Sequence, residues 1–369
     1  MSKVIMKNVS KVYSDNVTAN CNVDLEIEDK ELVVFVGPSA SGKSTALRMI
    51  AGLEEATVGE IYLGKKLMNG VKPKNRNVAM IFPNYTLYPN MTVEKNMEYL
   101  LKTRDVSKKE IEKRIKKVAN KLSIQELLDR EPNTLTPFEK QRISIAKAEL
   151  MDPQVILIEE PFKMIKEEFK DQMIDELIKL HKIVDKTFIC AMSNPTDAKK
   201  LAEKIVVMKD GKIRQVGKKE DIDALPNDAF VAEYMTSMKL NLVNSILYEE
   251  DNEYFLLFDD DRLKVKKDDK IMDKLKENEG RAVIFAIMPE DISVKQEDIE
   301  NSDGAAVTVD VIDKAIREKE NYYKIDLNGA HLWFKSGEGL NFKKGKYIDV
   351  AFDMNKIHLF DKQTEKIIF

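Results

Sequence analysis

The chain has 369 residues, enough for two domains and too many for one small core. Its 60 basic and 64 acidic residues leave a net charge of −4, which gives no electrostatic basis for a nucleic-acid partner. A charged fraction of 34% beside a hydrophobic fraction of 43% describes a soluble protein with many solvated Lys and Glu faces.

The N-terminus, Met1-Ser2-Lys3-Val4-Ile5-Met6-Lys7, meets a lysine before the apolar core of a signal peptide can form. No run approaches the ~18 apolar residues needed to cross a bilayer. The expectation is a cytoplasmic chain that reaches a membrane only as a peripheral subunit. Cys21 and Cys190 have no C-x-x-C spacing and lie in or beside apolar stretches, which predicts buried free thiols in a reducing compartment.

In chain order, Leu32-Val33-Val34-Phe35-Val36 is a short, wholly apolar run, as expected for a strand buried on both faces. Glycine-rich sequence follows, then a helix starting near Lys43. From 90 to 150 the rhythm changes. Over Val106–Leu128, Ile111, Ile115, Val118 and Leu122 share one helical face, and a helical insertion between two strands is predicted.

Val155-Ile156-Leu157-Ile158 and Phe188-Ile189-Cys190-Ala191-Met192 are further buried strands. Between them Phe169, Met173, Leu177, Leu180 and Val184 mark an amphipathic helix. Asp210-Gly211 sits between two apolar-rich runs as a hairpin turn. Strand, helix and strand in this order predict an α/β domain with a largely parallel sheet.

After about Ser237 short strand-like runs alternate with charged turns: Tyr254–Phe258, Ala282–Ile287, Ala306–Val311, Tyr322–Leu327 and Tyr347–Phe352. One helix is predicted near Ile271–Asn278. A second, mainly β domain of barrel type is the economical reading.

Gly37-Pro38-Ser39-Ala40-Ser41-Gly42-Lys43-Ser44-Thr45 fits G-x-x-x-x-G-K-[ST] after a strand and opening a helix. Gly37 and Gly42 permit the tight turn that aims backbone N–H groups at phosphate oxygens. Lys43 supplies a charge for the β and γ phosphates, and Ser44 a hydroxyl for Mg²⁺. The helix N-terminus adds its partial positive charge. Downstream, the run Val155–Ile158 ends in Glu159-Glu160-Pro161. A carboxylate there reaches the metal beside such a loop, and the next can take a proton from water.

Over essentially its whole length the chain resembles the ATPase subunit of maltose- and multiple-sugar-type ABC importers. Tyr13 matches the aromatic that stacks on adenine in that family, and Leu47–Glu54 follows the phosphate loop as in its members. Tyr85-Thr86-Leu87-Tyr88-Pro89-Asn90-Met91-Thr92-Val93 resembles the segment that carries the family's permease contact. Met288-Pro289-Glu290-Asp291-Ile292 resembles its R-P-E-D/H-I, and Ile357–Asp361 its closing strand. The resemblance implies an ABC-type P-loop NTPase domain over 1–235, with its helical insertion at about 90–150, and an OB-like β regulatory domain over 236–369. It also implies ATP and Mg²⁺ as cofactors. The implied partners are membrane permease subunits at the inner face of the cell membrane and a second ABC ATPase subunit in a homo- or heterodimer. Glu160 takes the general-base position, Ser44 and Glu159 the metal positions, and Tyr13 with Gly37–Thr45 the nucleotide positions.

The sequence departs from the family where catalysis is concentrated. The glutamine that touches Mg²⁺ and the attacking water is Pro83, which has neither a side-chain donor nor an acceptor; Asn84 is its neighbour. The signature L-S-G-G-Q is Leu135-Thr136-Pro137-Phe138-Glu139, which spells a capping box: N-cap Thr, Pro at the first position, Glu at the third. The usual Walker-B aspartate is Glu159, one methylene longer. The S-x-L-D segment is Lys163-Met164-Ile165-Lys166, and the histidine at the γ-phosphate is Ser193. His181, His331 and His358 offer no obvious replacement. Loss of one transition-state contact typically costs ~10²–10³ in rate. The sequence therefore predicts nucleotide binding with weak hydrolysis. The alternative is a nucleotide-binding regulatory or sensor subunit with little or no turnover.

Overall fold

The apolar runs at 32–36, 155–158 and 188–192 lie side by side in one six-stranded sheet, and every residue of these strands is buried. The structure is a computed structural model. It describes residues 3–85, 87–102, 106–236, 240–266, 268–317, 320–337 and 340–369. Thr86 of the permease-contact-like segment and Ser237, where the sequence changes texture, lie outside the described residues, as do Met1 and Ser2. The chain divides into two compact units, Met1–Glu220 and Asp221–Phe369.

The first unit opens with β1 (Val4–Val12), β2 (Thr18–Ile27), β3 (Leu32–Val36) and α1 (Lys43–Ala51). β4 (Val58–Leu63), β5 (Lys66–Leu67) and β6 (Val78–Ile81) follow. Then come the three helices α2 (Val93–Lys102), α3 (Lys108–Leu122) and α4 (Pro137–Glu149) before β7 (Val155–Glu159). These are the expected helical insertion between two strands. Ser107 caps α3 by accepting from Glu110 N, and Ile111, Ile115, Val118 and Leu122 are buried on one face, as their spacing predicts. α5 (Glu167–Val184), β8 (Thr187–Met192), α6 (Pro195–Leu201), β9 (Lys204–Lys209), β10 (Lys212–Gly217) and α7 (Lys219–Ala224) complete the run to the division.

The main sheet has the order β10-β9-β3-β8-β7-β6. β3 pairs in parallel with both β8 and β9, and β7 pairs in parallel with β6 and β8. The β9–β10 pair is antiparallel around Asp210-Gly211, where both turn residues have positive φ. A second sheet, β2-β1-β4-β5, has β1 antiparallel to β2 and β4 and packs into the same core as α1 and β3. It was not read from the sequence, because β1 and β2 mix polar and apolar residues and carry register shifts that break strict alternation.

Two local readings change. Phe169 is 40% exposed instead of lying with the buried face of α5, because it sits in the first turn, where its ring meets Phe138 edge-on at 6.4 Å between centroids. Cys21 is only half-buried, whereas Cys190 is fully buried and its thiol pKa is driven up by desolvation; both are free.

The second unit carries α8 (Ala229–Met235), β11 (Asn241–Glu250), β12 (Glu253–Phe258), β13 (Asp261–Val265), α9 (Met272–Glu277), β14 (Ala282–Ile287), β15 (Ile292–Ser293) and α10 (Gln296–Glu300). β16 (Ala306–Arg317), β17 (Glu320–Leu327), β18 (Ala330–Ser336), β19 (Tyr347–Phe352) and β20 (His358–Asp361) follow. Two five-stranded sheets, β13-β12-β11-β14-β20 and β15-β19-β16-β17-β18, are antiparallel throughout. Their facing residues, among them Leu256, Phe285, Tyr323, Phe334 and Val350, form one core. α8 precedes the 235/236 division expected from the sequence yet belongs to this unit, since Ala229 and Ala232 pack on Ala286 and Phe360.

Candidate functional site

The parallel register brings the chemistry to one edge. Val36 pairs with Met192, and Glu159 with Ala191, so β3, β8 and β7 end together. Gly37, Ser193 and Glu160 are the next residues on each strand. Crevices at the carboxyl ends of parallel strands are where such sheets bind ligands.

The loop Gly37–Gly42 wraps from β3 into α1. Gly42 is the N-cap at φ 96°, ψ −1°, and a Cβ there would sit 2.4 Å from Ala19 O and 2.7 Å from Asn20 Nδ2. A Cβ at Gly37 would lie 2.2 Å from Met208 O and 2.6 Å from Ser41 Oγ. Both glycines are therefore required by close backbone contacts, and Gly42 by its left-handed φ as well. Ala40 also lies in the left-handed region, at φ 63°. Pro38, Ser39, Ser44 and Thr45 complete the loop and the first turn of α1, and all four are at least partly accessible.

Lys43 is 5% exposed. Its ammonium donates to Gly37 O and Pro38 O, both at 2.7 Å, and to Ser41 Oγ at 3.2 Å. The lysine thus folds over its own loop with its charge held among carbonyl oxygens. Burial lowers its pKa, partly opposed by the nearby Glu160 charge.

Glu159 ends β7 at 8% exposure, and Arg48 Nη2 stands 3.5 Å from its Oε1. Glu160 takes a left-handed backbone, φ 46°, pinned by its N–H donating to Ala191 O at 2.8 Å. Its Oε1 accepts from Ser193 Oγ at 2.7 Å. Tyr13 opens the turn between β1 and β2, its N–H donating to Val17 O at 3.0 Å. Lys11 Nζ lies 4.9 Å from its ring centroid, a cation–π pair that orients the ring.

Thr136 Oγ1 accepts from Glu139 N at 3.3 Å, and Glu139 Oε2 accepts from Thr136 N at 2.7 Å, completing the capping box that the sequence spells. Arg130 Nη1 then donates to Glu139 Oε1 at 2.9 Å. Burial raises the Glu139 pKa, but the Thr136 hydrogen bonds and Arg130 outweigh it and hold the carboxyl below its ordinary range.

Two supports of the loop and one of the helix that follows it were not legible in the sequence. Asn20 Nδ2 donates to Gly42 O at 3.2 Å from a fully buried position on β2. Gly211 N donates to Ser41 O at 3.2 Å, and Cys21 N to Gly211 O at 2.9 Å, so the β9–β10 turn braces the phosphate loop. Arg76 donates from Nη1 to Met49 O and Ile50 O at 2.7 and 3.2 Å, satisfying the C-terminus of α1. An asparagine inside a strand is a weak signal of special use; Arg76 has no local signal.

A glycine-bearing loop after a parallel strand, a buried lysine over it and carboxylates ending a second strand with one strand between define a P-loop NTPase. The profile of the family described as "ABC transporter" matches residues 21–163. The oligosaccharides import ATP-binding protein MsmX of Bacillus subtilis is 35% identical over 99% of both chains. The trehalose/maltose import ATP-binding protein MalK of Thermococcus litoralis is 35% identical over the full length of both. A crystal structure of a nucleotide-free ATP-binding cassette from an ABC transporter superposes with a TM-score of 0.56. It is 20% identical and covers 64% of this chain and 100% of its own, a likeness of fold alone. The chain belongs to the sugar-import ABC ATP-binding subunits. These relatives are by name ATP-binding proteins of import systems. No helix among the described residues is long and apolar enough to cross a membrane.

Proposed function

We propose that this chain is the ATP-binding subunit of a carbohydrate importer, peripheral to its permease on the cytoplasmic side, with catalytic groups reduced to a partial set. The observation that carries the reading is the alignment of the phosphate loop after β3 with Glu159 and Glu160 at the end of β7, one strand away in the same sheet, with Lys43 already among loop carbonyls. A nucleotide phosphate would draw the ammonium from Gly37 O and Pro38 O, and the loop N–H groups and the α1 N-terminus would hold the remaining oxygens. Tyr13 offers its ring to the adenine.

The residues fit Mg²⁺ as such sites commonly hold it, through one or two protein oxygens plus phosphates, with Ser44 and Glu159 as those donors. Bound Mg²⁺ would neutralise charge on the β and γ phosphates. Glu160, oriented by Ser193 Oγ and by its own pinned backbone, is the group that accepts a proton from water. Pro83 offers no side-chain polar atom to orient that water, and Ser193 is shorter than the histidine of the family.

One observation favours the second reading, a nucleotide-binding regulatory or sensor subunit with little turnover. At the signature position, the α4 N-terminus carries the Glu139 carboxylate, itself held by Arg130, and the Thr136 and Glu139 N–H groups are already engaged within the capping box instead of free for a partner's nucleotide. ATP turnover by the purified chain, with Glu160→Gln as control, separates the two. Turnover above background that disappears in Glu160→Gln supports the transport ATPase. Tight ATP binding without turnover supports the regulatory subunit. Activity gained by Pro83→Gln with Ser193→His would place the lesion at those positions, and no gain would place it at Thr136–Glu139.

A further inference from the structure

Behind the site, at the carboxyl ends of β6 and β7, a small cavity of about 10 Å³ lies under the turn Phe82–Tyr85. Its walls include Pro83, Tyr85, Gln141, Ser144 and Glu159. Two of these lining residues carry buried polar atoms without a protein partner. Gln141, on α4, is 4% exposed, and neither its Nε2 nor its Oε1 has a protein partner. The Tyr85 hydroxyl is likewise buried and without a protein partner, and burial raises its pKa, so it stays a neutral donor and acceptor. Ser144 Oγ is already engaged, 2.9 Å from Lys140 O and 3.2 Å from Tyr85 O.

Buried carboxamides and phenols are almost always hydrogen-bonded, and the exceptions call for a cause. A cavity of roughly 10–15 Å³ by this measure holds one water, provided two to four polar groups reach it. Here there are three: an amide donor, an amide acceptor and a phenol. We propose that this cavity is a binding site for a single ordered water that joins the Gln141 carboxamide on α4 to the Tyr85 hydroxyl.

The water is the second fastening of a strained turn. Tyr85 holds a left-handed backbone, φ 59°, with its N–H donating to Phe82 O at 3.0 Å. A bulky residue keeps that conformation only where its surroundings over-determine it. The Ser144 contact to the Tyr85 carbonyl is one such constraint, and the water on the Tyr85 ring is the other. Together they tie the turn carrying Pro83 to α4.

The sign of a stability change tests this. With a bridging water, Tyr85→Phe and Gln141→Met each strand a partner and lower the thermal midpoint of the full chain by roughly 2–4 °C. The double variant then falls by less than the sum, because both losses are of one water. If the cavity is dry, each variant removes an unpaired buried polar group and the midpoint holds or rises, which overturns the proposal, as does strict additivity. Should Gln141→Met fail to fold, the Tyr85→Phe midpoint still decides. Cross-relaxation between a long-lived water and the Gln141 side-chain amide, in the glutamine-¹⁵N-labelled chain, is an independent readout. Its presence in wild type and loss in Tyr85→Phe support the site; its absence in wild type refutes it.

Discussion

Gly42→Ala is the substitution in which conformational and steric costs can be separated most cleanly. At φ 96° an alanine bears a left-handed penalty of about 1–2 kcal/mol. Its methyl would in addition meet Ala19 O at 2.4 Å and Asn20 Nδ2 at 2.7 Å, with Gly211 Cα at 3.2 Å behind. Ala19 O and Gly211 Cα belong to backbone fixed on either side, so relief requires the phosphate loop to move away from β2. The overpacking adds about 1–3 kcal/mol, for a total near 2–5 kcal/mol. The control is Gly70→Ala, at φ 70° with nothing within 4 Å of the new methyl, which carries the conformational cost alone. Urea unfolding of both variants, with a fluorescent ATP analogue to read binding, gives the comparison. Gly42→Ala is expected to lose at least about 1 kcal/mol more than Gly70→Ala and to weaken nucleotide binding by tenfold or more, about 1.4 kcal/mol. Equal losses of stability with unchanged binding would refute the claim that packing against β2 and the β9–β10 turn sets the loop.

The capping box at Thr136–Glu139 should matter to folding: Thr136→Ala is expected to cost about 1 kcal/mol in urea unfolding. Its acid dependence has a definite sign. The folded pKa of Glu139 is lowered, so its contribution is complete above the ordinary carboxylate value and is lost as pH falls through the folded pKa; Glu139→Gln should flatten the fall in stability across that window. Arg76→Ala removes donors to Met49 O, Ile50 O and, at 2.8 Å, Val71 O; Met49 O keeps the Gly52 N–H at 3.2 Å, while Ile50 O and Val71 O lose this charged donor. A loss of about 2–4 kcal/mol is expected, with no recovery in Arg76→Lys, whose single ammonium cannot span the same carbonyls.

Much of the parallel sheet was legible because its strands are buried on both faces and bounded by turn residues: Leu32–Val36, Val155–Ile158 and Phe188–Met192 read as continuous apolar runs. The insertion helix α3 was legible through its 3.6-residue period, and the β9–β10 hairpin through Asp210-Gly211. β1, β2 and β4 were not, because exposed, half-buried and buried residues mix along them and bulges interrupt the alternation. Phe169 was misplaced because periodicity continues through a helix's first turn, whereas the packing surface beneath it ends.

The phosphate loop itself follows from local sequence, since a tight turn with N–H groups aimed inward needs particular residue types at fixed spacing. The capping box at Thr136–Glu139 is local for the same reason: its bonds close within one helical turn. What braces these features comes from far along the chain. Asn20 and Gly211 hold the loop, Arg130 holds Glu139, and Ser193 holds Glu160. Strand order and register decide those pairings, and no sequence period encodes them. Gln141 and Tyr85 likewise share a cavity only because α4 lies over the ends of β6 and β7.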